Sequence, residues 1–399
     1  MAQHCALVFL FSLVFVLGVD AVNGGRGVDS NTQQPASVNY SELFTLLAQE
    51  SHKEEDSNAR LLGTPTIHPS RSFDPEEDLK TIDEALTELP GDGVGKLIKL
   101  ATQRSFNQRA IVFNLYYAKT SKVLTEALAS ALGSSSEIFR GLEALLAPAA
   151  WRDAGYLHEA MAGAGTDDAE LNEIITTRSY TQLQYIAKVY EQRFGSTLTD
   201  DIAGDSWGIV ETLLIKIVTT PRTNEFATPD RVDELAQELY DAGAGRWGRD
   251  DEKFIEIFSS ESYTTLRAVF HAYTAKFQTT VLDAVSSEFS RKAKDLYTTL
   301  VRVILSEPQY FADLIYTDIA GVGTNEPGLA RHILARADVD LVEIKKAFLS
   351  KNKQSVSEAV QGDVSGDYLT LLLAAIEADS GTRAETLEHE NSSRPVQLA

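Results

Sequence analysis

Cysteine occurs once in 399 residues, as Cys5. A lone thiol so close to the N-terminus excludes a disulfide scaffold, a thiolate metal site and a cysteine nucleophile in a chain that sheds its first residues. Positive charge is scarce as well: 36 Lys and Arg stand against 58 Asp and Glu, giving a net charge of −22. Nucleic acid and anionic lipid both repel such a chain, so contact with either requires a cation as intermediary. The seven histidines show no metal-ligand spacing of the H-E-x-x-H kind. Beyond residue 20 no run is apolar enough to span a membrane, and no stretch alternates with period two over the length of a strand. Apolar residues are plentiful at 43%, the composition of a folded protein with ample core.

Residues 6–19, ALVFLFSLVFVLGV, form one apolar run that is too short for a transmembrane helix. Val19-Asp20-Ala21 follows, with small or apolar residues at the two positions a signal peptidase reads. This predicts a secretory signal over residues 1–21 and an exported chain; without a working signal, the alternative location is the cytoplasmic face of membranes. Residues 22–72 are polar and read as a flexible tail, and 379–399 as a second one. The sequons Asn39-Tyr40-Ser41 and Asn391-Ser392-Ser393 lie in these tails, where a glycan clashes with no core. Tyr40, Leu43, Phe44 and Leu47 recur at helical spacing, which predicts one short amphipathic helix that docks on the protein's own core or on a partner protein.

The stretch between the tails repeats. Gly91, Gly165, Gly248 and Gly323 are spaced by 74, 83 and 75 residues and open similar text, TDDAELNEIITTRS after Gly165 and TNEPGLARHILARA after Gly323. Four repeats follow, over 73–147, 148–222, 223–305 and 306–378. Val210, Leu213, Leu214, Ile217 and Val218 make one helical stripe and Leu183, Ile186 and Tyr190 another, so the fold class is all-α. Thr166 and Thr324 are the expected caps of the helices that follow, with Asp167, Asp168 and Glu326 in the first turn. The longest spacing holds VTTPRTNEFATPDR, whose Pro221 and Pro229 predict a linker between two halves.

The chemistry concentrates at the repeating glycines. A calcium ion takes six to eight hard oxygens, and backbone carbonyls of a tight glycine turn supply several if a carboxylate completes the shell. Gly163-Ala164-Gly165 and Gly321-Val322-Gly323 are such turns. Forty residues past the reference glycine stand Asp205, Glu288 and Asp363, whereas the first repeat has Ala131.

GAGTDDAEL, RWGRDDEKF, GVGTNEPGL and GDVSGDY, in register over four repeats, resemble the annexin family. The resemblance runs from about Phe73 to Glu377. It implies a curved disc of four repeats of about five helices each, with Ca2+ held in loops of the convex face that dock on acidic phospholipids such as phosphatidylserine. Carried over by position, the calcium ligands are Met161, Gly163 and Gly165 with Asp205; Gly243, Arg246 and Gly248 with Glu288; and Ile319, Gly321 and Gly323 with Asp363. Surplus charge on calcium then bridges two anionic surfaces, and three weak bridges on one rigid face reinforce each other. Trp247, inside the third loop, is the expected membrane contact. The family's usual cytosolic location conflicts with the signal; outside the cell, abundant calcium would make the ion a constant cofactor instead of a switch.

Departures from the family pattern carry their own expectations. LPGDGVGKL and Ala131 predict a dead calcium site in repeat 1. In repeat 3, Arg249 replaces Thr and adds a positive charge near the lipid plane, and Glu261 replaces the arginine seen as Arg104, Arg178 and Arg336, weakening a contact between helices. Gly204-Asp205-Ser206-Trp207-Gly208 matches a serine-hydrolase elbow but lacks the strand that motif needs, and Gly91 to Leu97 looks like a phosphate loop with one residue too few and no hydroxyl for magnesium. No nucleophile, base and orienting group come together, so the chain reads as a non-enzyme. The competing function is an extracellular or wall-associated scaffold that binds protein or glycan partners and uses calcium structurally.

Overall fold

The computed structural model describes residues 42–47, 63–163, 165–243, 249–321 and 323–379. The signal segment, both sequons, Arg246, Trp247, Gly248 and the stretch from residue 380 lie outside them.

Helix starts are set by local chemistry. Ser179 and Gln182 form a capping box, as do Thr280 with Asp283 and Ser355 with Glu358. In each, two backbone N–H groups that lack intrahelical partners are satisfied reciprocally. The expected caps Thr166 and Thr324 are each one residue early. Asp167 and Asn325 accept from the N–H of Glu170 and Gly328, and Asp250 does the same for Lys253. A side chain shorter than Glu, carrying an oxygen on Cγ, reaches that N–H best.

A first helical segment, α1, covers 42–47. Repeat 1 consists of α2 (Pro75–Thr87), α3 (Asp92–Thr102), α4 (Phe106–Thr120), α5 (Leu124–Leu132) and α6 (Glu137–Leu146). Repeat 2 follows with α7 (Ala149–Met161), α8 (Asp168–Thr177), α9 (Tyr180–Phe194), α10 (Leu198–Asp205) and α11 (Gly208–Thr219). Repeat 3 has α12 (Pro229–Ala242), α13 (Asp251–Ser260), α14 (Tyr263–Phe277), α15 (Val281–Glu288) and α16 (Arg291–Leu305). Repeat 4 has α17 (Glu307–Ile319), α18 (Glu326–His332) with a 3-10 turn at Leu334–Arg336, α19 (Leu341–Asn352), α20 (Val356–Asp363) and α21 (Gly366–Ile376). Among the described residues there is no strand. The fold is all-α, a five-helix unit used four times.

Both sequence stripes are buried: Val210, Leu213, Leu214, Ile217 and Val218 on α11, and Leu183, Ile186 and Tyr190 on α9. Each such side chain contributes about 1.5–3 kcal/mol by leaving water. The units do not pair in chain order. Repeat 1 packs on repeat 4 through α21 against α3 and α6, and repeat 2 on repeat 3 through α16 against α8 and α11 against α13. The expected division at Pro221 to Pro229 is therefore corrected. That segment joins two repeats packed together and is pinned to the second of them, with the Thr223 N–H donating to the Ser260 carbonyl at 2.8 Å and Arg222 Nη1 to the Glu261 carbonyl at 2.8 Å.

The tail reading needs correction over its described portion too. Thr66 is fully buried, its N–H donating to the Ala337 carbonyl and its hydroxyl to the Ala375 carbonyl, both in repeat 4. Thr64 gives its N–H and hydroxyl to the Glu343 carboxylate at 2.7 and 2.9 Å. Sparse apolar content hid this because backbone and hydroxyl hydrogen bonds hold the segment. On α1, Leu43, Phe44 and Leu47 are buried in the protein's own core, with Phe44 stacked 4.0 Å from Tyr117 and 5.6 Å from Phe113. Of the two readings of this helix, docking on its own core is the one observed.

Candidate calcium corners

Each of Asp205, Glu288 and Asp363 is the last residue of an eight-residue helix, α10, α15 and α20. These helices end beside the glycine turns. In repeat 2 one cavity of about 280 Å³ is lined by Met161 at the end of α7, Ala162 from the turn, and Asp200, Asp201, Gly204 and Asp205 from α10. In repeat 3 a Cβ added to Gly243 would lie 3.3 Å from Glu288 Cγ, so the carboxylate arm rests on the turn. In repeat 4 the Thr324 hydroxyl donates to the Asp363 carbonyl at 3.4 Å.

The turns share a clasp. The N–H of the cap residue donates back to a carbonyl at the end of the preceding helix: Asp167 to Ala160, Asp250 to Ala242 and Asn325 to Asp318, each at 2.8 Å. Inside the clasp Gly163, Gly165, Gly321 and Gly323 have φ of 91°, 131°, 112° and 90°, and a Cβ on any of them would meet nothing within 4 Å. Backbone conformation, not crowding, selects glycine there. Asp205 Oδ2 is buried and has no hydrogen-bond partner. A buried carboxylate oxygen left over beside a carbonyl-rich turn fits a hard cation.

Repeat 1 is built differently. Only residues 88–91 separate α2 from α3, against 162–167 in repeat 2, and Leu89-Pro90 is cis. Ala131 offers no ligand on α5, and Lys96 Nζ lies 2.9 Å from Glu88 and 3.4 Å from Glu84.

A family model described as Annexin matches residues 152–217, 234–300 and 310–375. The dog protein named annexin A13 is 34% identical over 305 residues, covering 76% of this chain and 96% of its own length. Mouse annexin A5 is 34% identical over 312 residues, covering 78% of this chain and 96% of its own. The chain belongs to the annexin family. Among solved structures, annexin III superposes with a TM-score of 0.74 at 30% identity, covering 80% of this annexin and 99% of its own chain. Chicken annexin V superposes at 0.69 with 29% identity, covering 79% of this chain and 99% of its own.

Two expectations for repeat 3 change. Arg249 is not a free charge: Nη1 donates to the Glu288 carbonyl, Nε pairs with Asp251, and the guanidinium lies 4.1 Å from the centre of the Phe289 ring. It serves the carboxylate-bearing helix as Thr324 does in repeat 4. At Glu261 the arginine comes from outside and meets backbone. Arg104 grips Asp78 at 2.6 and 2.7 Å and Arg178 grips Asp153 at 2.5 Å, whereas the backbone carbonyl of Glu261 accepts from Arg222, whose guanidinium lies 4.5 Å from the centre of the Tyr263 ring. The hydrolase-like motif spans the corner from α10 to α11, with a helix where its strand would have to be.

One structural element beside the repeat 4 turn escaped the sequence. His332, 2% exposed, lies 2.6 Å from Asp318 Oδ2 and 2.8 Å from Glu173 Oε2, and Arg331 joins Glu170 at 2.8 Å and Glu173 at 3.3 Å. Burial opposes charge on His332, but the Glu173 carboxylate and the bond to Asp318 prevail and push its pKa to about 9. The imidazolium ties repeat 2 to the helix end that opens the repeat 4 turn. Only its ordinary spacing in the sequence was visible.

Proposed function

We propose that this annexin docks on acidic phospholipid through Ca2+ held at the corners of repeats 2, 3 and 4. The observation that carries the reading is the placement of three carboxylates, each ending its helix beside its own glycine turn, with Asp205 Oδ2 buried and unpartnered. Met161, Gly163 and Gly165 would hold the ion with Asp205; Gly243, Arg246 and Gly248 with Glu288; and Ile319, Gly321 and Gly323 with Asp363. When bound, calcium supplies positive charge that neutral carbonyls and one carboxylate leave uncancelled, and an open position for a lipid oxygen. The chain's part is to fix the turn by its clasp and to bring the acid at the helix end beside it. Repeat 1 contributes packing alone. Trp247 adds an apolar contact at the headgroup level, and no catalytic role is assigned.

Support comes from the family, generally one of calcium-dependent phospholipid binding, and from the −22 charge, which demands a cation between protein and anionic lipid. The test is co-sedimentation with phosphatidylserine vesicles: binding with calcium and release by a chelator are expected. Calcium-dependent folding stability without vesicle binding would favour the scaffold reading. The export proposal has its own check, since mass spectrometry of native protein should find a chain starting near Val22, and an intact Met1 would refute it.

A further inference from the structure

The corner of repeat 2 carries a side chain that its sister corners lack. Two residues past Asp205, Glu288 and Asp363 stand Trp207, Ser290 and Ser365, the N-caps of α11, α16 and α21. Trp207 is 69% exposed, while Trp151 is 3% exposed in the core. Serine suffices at this position twice, and none of the three side chains makes a capping hydrogen bond, so helix capping does not account for an exposed indole here. Its face is covered by a cation: Lys292 Nζ lies 5.1 Å from the ring centre and 2.9 Å from Asp168. Arg291 precedes it, exposed, with φ of 52° where repeats 2 and 4 have Gly208 and Gly366 at 64° and 66°. A non-glycine residue seldom holds that conformation, and here it places a guanidinium at the corner.

We propose that Trp207, Lys292 and Arg291 form an anchor between repeats 2 and 3 for the headgroup layer of an anionic bilayer, using no calcium ligand. This rests on the reading that the calcium corners face lipid. The indole is amphipathic, suited to the interface between hydrocarbon and water, and its two cations match phosphate and carboxylate groups. With net charge −22 these cations do not dock the protein unaided; they engage once the calcium bridges have brought the face down.

The experiment compares the full chain with Trp207→Ser, the residue of the sister corners, and with the double variant Arg291→Gln, Lys292→Gln, on vesicles of phosphatidylcholine and phosphatidylserine. Circular dichroism verifies folding. The calcium concentration for half-maximal binding should rise roughly fivefold in Trp207→Ser and roughly threefold in the double variant. The emission difference between the full chain and Trp207→Ser isolates the indole, which should shift to the blue and be quenched by brominated lipid only with calcium and vesicles together. Calcium-dependent binding with an unshifted, unquenched Trp207 and no change in either variant overturns this proposal alone. Failure of the unsubstituted chain to bind any vesicle overturns it together with the docking function.

Discussion

Repeat 1 joins its first two helices through residues 88–91, and repeat 2 joins the corresponding pair through 162–167, yet both close the same five-helix unit. In repeat 1 the short corner brings α3 down on α2 so closely that Gly93 meets the Ala85 carbonyl, and Lys96 sits between Glu84 and Glu88. In repeat 2 the longer corner holds two glycines at positive φ and faces a buried carboxylate oxygen. The core tolerates either corner, because its stability comes from helix faces, not from the turn. A repeat can thus lose its glycine turn and its acid without cost to the others.

The sharpest break of this comparison removes the acids. Asp205→Ala, Glu288→Ala and Asp363→Ala should each raise the calcium needed for vesicle binding several-fold, and the triple variant should abolish binding. Ala131→Asp should gain nothing, since a carboxylate placed beside residues 88–91 finds no glycine turn to complete. Full binding by the triple variant in a calcium titration would overturn the assignment.

The next effect concerns repeat 4, which meets repeat 1 through apolar helices and the Arg109–Asp338 ion pair, and repeat 2 through the ions around His332. Groups facing His332 are Glu173 and Asp318, with Arg331 on the same Glu173 and the Phe311 ring 6.0 Å away. Its pKa, about 9, is raised above the ordinary 6.5, so its stabilisation is whole below pH 6.5 and lost as pH rises through 9. The contribution is on the order of 3 kcal/mol. Urea unfolding should show a decline between pH 6.5 and 9.5 that His332→Gln flattens; an unchanged slope would dismiss the imidazolium.

How much of this the sequence disclosed follows from which interactions repeat. Helices, glycine corners and end-of-helix acids recur four or three times, and periodicity exposes them. The pairing of repeat 1 with repeat 4 is set by helix faces that look alike in every repeat, so the proline-bounded linker pointed to the wrong division. Thr64 and Thr66 bind through hydroxyl and backbone atoms that leave no apolar pattern. His332 and Trp207 are single occurrences, and a residue's burial or exposure cannot be read from an unrepeated position.

A smaller effect tests why the repeat 1 corner is tight. A Cβ at Gly93 would lie 2.2 Å from the Ala85 carbonyl oxygen, a backbone atom that cannot rotate aside, while one at Gly95 meets nothing within 4 Å. Gly93→Ala should therefore cost about 2 kcal/mol and Gly95→Ala add up to about 0.8 kcal/mol through helix propensity. Equal midpoints for the two variants in urea would show that the helices have room to separate.

The smallest expected effect separates Arg249 from Thr324. Both donate to the carbonyl of the residue bearing the acid, Glu288 for the arginine and Asp363 for the threonine. Arg249 adds its pair with Asp251 and its stacking on Phe289, which is itself buried behind the corner. If the shared hydrogen bond is what matters, Arg249→Thr restores it and Arg249→Ala does not. In a background of Asp205→Ala and Asp363→Ala, where Glu288 alone serves calcium, Arg249→Ala should raise the half-maximal calcium about threefold, and cost about 1 kcal/mol of stability, the worth of one such bond. Arg249→Thr should recover most of the calcium affinity while losing the packing on Phe289. Equal calcium midpoints for the two variants would mean that the arginine acts through its ring contact and charge, and that repeats 3 and 4 hold their acids in place by different means.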